Sequence, residues 1–414
     1  MKKIDFKRSS NRVFNICILS VILVGTLFSS CKKNEGQQAP VVNKVRLVDA
    51  SKADSIFTQA NPGTMIAIEG DYLNGATNIY FNDFEAYFNP VYNTKTAIII
   101  TIPAKAPTAA IDPNVINKIR IVTNHGETSY DFTLTQSPPV IYSISNENPN
   151  PGDSVIIYGA NFYGVDKVIF PGNQEIAKIS VDENGSAIRF LAPNDLERGP
   201  LKIEALFGSI ATLYDINNLN GPGVVNNFDD INTYGWGSPV ENNPAEFPGN
   251  KGNYVVMSGI GIADDAWYSA DGRAMYFPSI NYVTPDHLKD PASSWAIKFD
   301  IFVKEPWTAG AIKLTPNPDI AKPYYYVYQP WKIGTATVPF VTSGWQTVTI
   351  PLSEFKLSKD TQNKADGDAA KFVGDLVDAT GKNQLRYFLV STPDNIIGKY
   401  RAAFDNMRIV KITK

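Results

Sequence analysis

The sequence predicts an all-β protein: two small β-sandwiches in tandem, followed by a larger sandwich of jelly-roll type. Three observations carry that expectation. Asn-Pro-Gly-Thr-Met-Ile-Ala-Ile-Glu-Gly-Asp-Tyr at residues 61–72 recurs 89 residues later as Asn-Pro-Gly-Asp-Ser-Val-Ile-Ile-Tyr-Gly-Ala-Asn-Phe at residues 150–162, with six residues between the Pro-Gly and the next Gly each time. Short apolar runs bounded by Gly, Pro and Asn follow both copies, as strands separated by turns require. Residues 224–414 again read as strands and contain no long amphipathic helix.

The first 30 residues are a processing signal rather than part of the fold. Lys2, Lys3, Lys7, Arg8 and Arg12 form a basic region ahead of an apolar run at residues 13–28, which is short for a spanning helix. The run ends in Leu27-Phe28-Ser29-Ser30-Cys31, which resembles a bacterial lipobox. The resemblance implies cleavage before Cys31 and lipidation of its thiol. Of the two cysteines, Cys17 lies in the removed segment, so the mature chain is left without a partner for a disulfide or a thiolate metal site. Residues 31–40 form a polar tether. It resembles, in less acidic form, the export signals of surface lipoproteins of the Bacteroidetes. Without residues 1–30 the chain holds 33 Lys and Arg against 40 Asp and Glu, a net charge of −7, with the charges interspersed. That balance argues against a nucleic-acid partner.

In the repeats, Pro-Gly makes a turn, the apolar run a strand, and the later Gly a sharp bend. Second strands follow at residues 78–81 and 167–170, and further matches at 98–103 with 187–193 and at 118–122 with 201–205. The pattern resembles the immunoglobulin-like IPT/TIG fold, through Gly159, Asn161 and Phe162 in the second copy and Gly70, Asp71 and Tyr72 in the first. Domains are expected at 41–136 and 138–216, with the Pro138-Pro139 joint between them, and in that family such modules are commonly spacers. A Gly/Asn/Pro-rich joint at 217–223 leads to a third domain at 220–414.

In the third domain, Trp295, Ile297, Phe299, Ile301 and Val303 share one face of a strand, with Lys298 and Asp300 on the other. Phe228-Asp229-Asp230 near its start and Phe404-Asp405-Asn406 near its end resemble carbohydrate-binding jelly rolls. So does Gly344-Trp345 followed by Pro351-Leu352 and Phe355. Together with the lipobox and tandem repeat, the order of parts resembles the surface glycan-binding protein B family of the Bacteroidetes. That resemblance implies a cell-surface, outer-membrane lipoprotein that binds a plant-type polysaccharide. A β-glucan or xyloglucan-like backbone is favoured and β-mannan comes next; a TonB-dependent transporter complex is a further implied partner.

All six tryptophans lie after residue 235. Aromatic faces with a polar tip suit ligands that are flat and amphipathic. Trp295 reads as core and Trp345 as a packed sandwich edge. Trp331, Trp307, Trp267 and Trp236 fall in loops, where they serve either ligand contact or loop anchoring. Tyr324, Tyr326 and Tyr328 project together from one strand, as a glycan platform or as a cross-strand aromatic ladder. Lys298, Lys332, Arg273, Asn281 and Gln329 are candidate polar contacts.

No enzyme is expected. Asp229, Asp230, Asp264, Asp265, Asp300, Glu305 and Glu354 stand in no catalytic motif, and there is no nucleophile elbow, P-loop or His-Glu-x-x-His. His125 and His287 read as surface residues. No cofactor is called for; the Asp229/Asp405 pair would suit at most a structural calcium. The remaining alternatives to a glycan binder are a diverged glycoside hydrolase using an Asp/Glu pair and a protein-binding adhesin.

Overall fold

The computed structural model describes residues 38–52, 54–262, 272–316, 323–359, 365–391 and 396–413. Cys31, the tether up to residue 37 and Trp267 lie outside them. Among the described residues there is no α-helix, only strands and short 3-10 turns. The chain divides into two compact units, one ending at Gln136 and the other beginning at Ser137.

The first unit is a two-sheet sandwich. Val41–Leu47, Met65–Asp71 and Ala97–Thr101 form one sheet, and Phe84–Ala86, Ala76–Phe81, Lys118–Thr123 and Gly126–Asp131 form the other. Inward residues such as Val45, Ile66, Ile68, Ile79, Phe81 and Ile121 fill the space between them. The second unit opens with the same plan: Val140–Ile144, Ser154–Ala160 and Ala187–Leu191 on one side, Val165–Phe170, Lys202–Ala205 and Gly208–Ala211 on the other.

The repeated glycine has the same physical cause in both copies. The first strand bulges between Val42 and Lys44, and between Ile141 and Ser143. The bulge pushes a carbonyl onto the neighbouring strand, so a Cβ on Gly70 would sit 1.9 Å from the Val41 oxygen and one on Gly159 1.9 Å from the Val140 oxygen. Only glycine permits that approach.

The rest of the second unit is the larger sandwich. One sheet runs Val240–Glu241, Tyr254–Ile262, Ile397–Lys411, Trp295–Val303 and Gln346–Pro351, with Val224–Asn226 paired beside it. The other runs Trp236–Gly237, Ala274–Asn281, Lys382–Val390, Ala311–Thr315, Tyr324–Tyr328 and Lys356–Leu357. Ile297, Phe299, Ile301 and Val303 face inward as their alternation predicts, onto Met275, Phe277, Leu385, Tyr387 and Leu389 of the opposite sheet.

The other face of the Trp295–Val303 strand differs from its sequence reading. Lys298 and Asp300 are buried, not solvated, because residues 145–150 of the preceding sandwich lie across them. Lys298 Nζ donates to Glu147 Oε1, and Arg408 Nη1 lies 3.0 Å from Glu147 Oε2. Arg408 Nη2 is 3.2 Å from Asp300 Oδ1, which also accepts from Thr347 Oγ1 at 2.7 Å. Asn148 Nδ2 donates to Asp300 Oδ2 at 2.7 Å, and the Tyr214 hydroxyl to Glu147 Oε1 at 2.8 Å. The Lys298 ammonium also stands 3.9 Å from the Tyr214 ring centroid. Two cations thus meet two anions out of water, and desolvation pulls the Lys298 pKa down against the pull of Glu147.

Removing one member of such a set strands a buried charge. Glu147→Ala is therefore expected to lower the stability of the second unit by about 3–5 kcal/mol, read from the shift of its denaturant midpoint. A loss below about 1 kcal/mol would contradict a closed charge set.

Candidate functional site

Residues 145–150 occupy part of the first sheet's outer face; the outer face of the second sheet is buried around Ala274, Ala311, Phe388 and Val390 and carries a band of aromatic and cationic groups toward its Trp236 edge. On Ala274–Asn281, Met275 and Phe277 point into the core, leaving Tyr276 outward. On Lys382–Val390, Leu385, Tyr387 and Leu389 point in, leaving Arg386 outward. Register aligns Trp236 with Tyr276, Tyr276 with Arg386, and Arg386 with Thr315, so one band crosses four strands.

Within the band the groups stack. The Trp236 and Tyr276 centroids are 5.4 Å apart at 43°. The Arg386 guanidinium carbon lies 4.5 Å from the Tyr276 centroid, 5.6 Å from that of Trp236 and 5.4 Å from that of Phe388. A cation shared among three rings fixes their orientation. Trp236 remains 39% exposed at the sheet edge. Gly237 brings it there: a Cβ at that position would stand 2.0 Å from the Ala274 carbonyl oxygen.

A groove of about 570 Å³ adjoins the band, with Tyr276, Pro278, Tyr324, Asp375, Asp378 and Lys382 among its walls. Its carboxylates hold turns. Asp375 accepts the backbone N–H groups of Lys371 and Phe372. Asp378 accepts the Thr380 hydroxyl and the N–H groups of Thr380 and Lys382, which keep its pKa below the usual carboxylate range. A general acid needs the opposite shift. Burial, with smaller help from Asp375 and Asp368, raises the Tyr324 pKa, so its phenol stays protonated and able to donate.

Several sequence-predicted contacts lie elsewhere. Trp307 is 1% exposed and Trp331 4% exposed, and both belong to the core. The loop carrying Trp307 folds back onto Phe340 through two backbone hydrogen bonds, and its ring packs edge-on against Tyr328 and Tyr400. Trp307 Nε1 donates to the Ala309 carbonyl and Trp331 Nε1 to the Gly310 carbonyl at 3.0 Å. With the polar tip satisfied, an indole is stable inside, and neither ring has a face left for a ligand.

The tyrosine platform is corrected likewise. Tyr324, Tyr326 and Tyr328 do share a face, but it is the core-facing one. Tyr328 is buried, Tyr326 packs on Phe355, and Tyr324 alone reaches the groove. With aromatics at both parities of the Tyr324–Tyr328 strand, alternation could not decide which face turned inward.

Of the polar candidates, Lys298 belongs to the buried charge set and Arg273 is buried. Gln329 donates to the Gly310 carbonyl at 3.1 Å. Lys332 is exposed on a small hairpin, and Asn281 is exposed where its strand ends. Trp295 is half-buried against the core, and Trp345 packs with Phe247, Tyr254 and Phe302. Asp229 accepts from the Asn253 backbone and side chain, while burial raises the Asp405 pKa well above the carboxylate range. Among the described residues no three His, Cys, Asp or Glu side chains converge as for a metal. His125 is exposed, whereas His287 is half-buried, its Nδ1 3.0 Å from Asp290 Oδ2. Tyr276 and Arg386 were missed, although both stand at odds with the apolar parity of their strands.

Residues 218–411 match the family model described as the surface glycan-binding protein B xyloglucan binding domain. An IPT/TIG domain-containing protein of Bacteroides ovatus is 35% identical over 236 residues, 54% of this chain and 47% of the relative. The chain thus spans about half the length of that curated relative. The crystal structure of surface glycan-binding protein PbSGBP-B from Prevotella bryantii superposes with a TM-score of 0.68 at 22% identity, covering 91% of this chain and 99% of that one. That likeness is one of fold.

The two kinds of tryptophan separate in stability. Trp331→Ala is expected to cost about 3–5 kcal/mol, and Trp236→Ala less than about 1 kcal/mol, by denaturant titration of the purified protein. Equal losses would contradict the assignment of one ring to the core and the other to the surface.

Proposed function

We propose that the protein captures a plant-type polysaccharide without cleaving it, a reading supported by the match of residues 218–411 to the surface glycan-binding protein B xyloglucan binding domain. The ligand is a β-glucan or xyloglucan-like chain lying across the outer face of the second sheet. The observation that supports this most is Trp236, an exposed indole held by Arg386 and by Tyr276, the latter a wall of the polar groove. Pyranose C–H faces pack on such rings, while hydroxyls exchange water for groups such as the Tyr324 phenol and Lys382.

Each exchange nets only about 0.5–1.5 kcal/mol. Two or three stacked rings with a few such bonds support binding of roughly −6 to −8 kcal/mol, near the micromolar range. Trp267 stays in the proposal as a second ring on sequence grounds, since it belongs to the segment between Tyr254–Ile262 and Ala274–Asn281. Lipidation at Cys31 would tether the protein to the outer membrane, facing outward. There it would hand glycan to a TonB-dependent transporter complex. Groove carboxylates occupied with backbone N–H groups favour binding over hydrolysis.

Affinity electrophoresis of the purified protein in gels of xyloglucan, mixed-linkage glucan and galactomannan tests the proposal. Retardation by xyloglucan without release of reducing sugar is expected, weakened about tenfold or more by Trp236→Ala. Full retardation of that variant would remove the ring from the site. New reducing ends would indicate a hydrolase, strongest retardation by galactomannan a mannan binder, and no retardation by any polysaccharide a protein-binding adhesin.

A further inference from the structure

A second groove, of about 680 Å³, opens beyond the first at the sandwich edge, and Ser279 and Lys382 line both. What separates them is a break in the pairing of Ala274–Asn281 with Lys382–Val390. Register shifts between Phe277 and Ile280, which leaves Pro278 and Ser279 standing out as a low ridge. Past the ridge the floor is apolar, formed by the buried Ile280, Tyr282 and Ile409, and the rim is polar, with Asn281, Thr284 and Thr380 exposed.

One wall is the half-buried ring of Trp295, and its orientation is fixed. Its Nε1 donates to Asp290 Oδ2 at 2.9 Å, an oxygen also reached by Lys411 Nζ and His287 Nδ1, each at 3.0 Å. Those partners, the Trp295 hydrogen bond foremost, hold the Asp290 pKa down to about 2, so the clamp stays charged at ordinary pH. The indole tip is thus spent on Asp290, and what the ring offers the groove is its apolar surface. A ring wall, an apolar floor and a rim of hydroxyls, an amide and the Lys382 ammonium suit a polyol more than a lipid chain.

We propose that the second groove is an extension subsite for the same polysaccharide, which passes from the Trp236 face over the Pro278–Ser279 ridge and continues along Trp295. This rests on the glycan-binding reading above. The shared walls make the grooves one path, so a polymer can fill both while a short oligosaccharide fills only the first. Binding in the second groove then adds to the affinity of the polymer as an intramolecular contact.

Calorimetric titration of the purified protein with a single-repeat xyloglucan oligosaccharide and with polymeric xyloglucan tests the extension. Asn281→Ala, at an exposed position, and Trp295→Leu are the variants; the first keeps the test valid if the second fails to fold. Polymer affinity is expected to fall about three- to tenfold in each, the equivalent of one or two lost contacts, with single-repeat affinity unchanged. Unchanged polymer affinity overturns the extension while leaving the first site intact, and an equal fall for both probes overturns it too. A wild-type protein that binds neither probe overturns the glycan-binding reading itself.

Discussion

A sandwich has two broad outer faces, and in this protein a buried charge set commits one of them. Lys298 and Arg408 stand on the outer face of the first sheet, and their only route out of water is to meet Glu147, carried by the preceding domain, and Asp300 beside them. Such a set adds little net stability over an apolar contact, because desolvation consumes most of the Coulomb gain. What it imposes is position: any slip of the 145–150 segment leaves a bare charge in the interior. The preceding domain and the larger sandwich therefore share a fixed register. On the second sheet, part of the outer face is buried around Ala274, Ala311, Phe388 and Val390, and the exposed indole lies at its Trp236 edge.

On the second sheet, strand parity divides the labour. Alternate residues of Ala274–Asn281 and Lys382–Val390 go to the core, and those between them supply Tyr276 and Arg386. Interior rings such as Trp307, Trp331 and Tyr387 stiffen the wall from behind. Exposed Trp236 is held by neighbours rather than by burial. A ring that is already oriented loses little conformational freedom when a ligand arrives, and preorganisation of that kind is how a shallow surface binds at all. Trp295 is likewise oriented, clamped through Asp290.

Much of the fold was legible because its causes are local. Pro-Gly turns, the glycines at 70 and 159 under a bulged carbonyl, and strict alternation along Trp295–Val303 each leave a mark in the order of residues. The site was harder to read because exposure is decided by what folds over a residue. Trp307 and Trp331 follow prolines in loops, and nothing in their neighbourhood reveals that the loops close onto the sandwich end. Lys298 sits on a polar face that another domain covers. Trp236 reads from its loop as ligand contact or anchor alike, and only the fold shows that its two flanking glycines let its short strand lie flat at the sheet edge. Residues that share a face across four strands are separated in sequence by as much as 150 positions, from Trp236 to Arg386, and parity along a single strand does not report on its neighbours.

The proposed seat of the sugar rings is the Trp236 edge of the second sheet's outer face. A crystal structure of the protein with a bound xyloglucan oligosaccharide tests it directly. A pyranose ring is expected within about 4 Å of the Trp236 indole, with the chain directed along the groove beside Tyr276. An oligosaccharide seated on the first sheet, on either preceding sandwich, or at the end closed by Trp307 and Trp331 would contradict it.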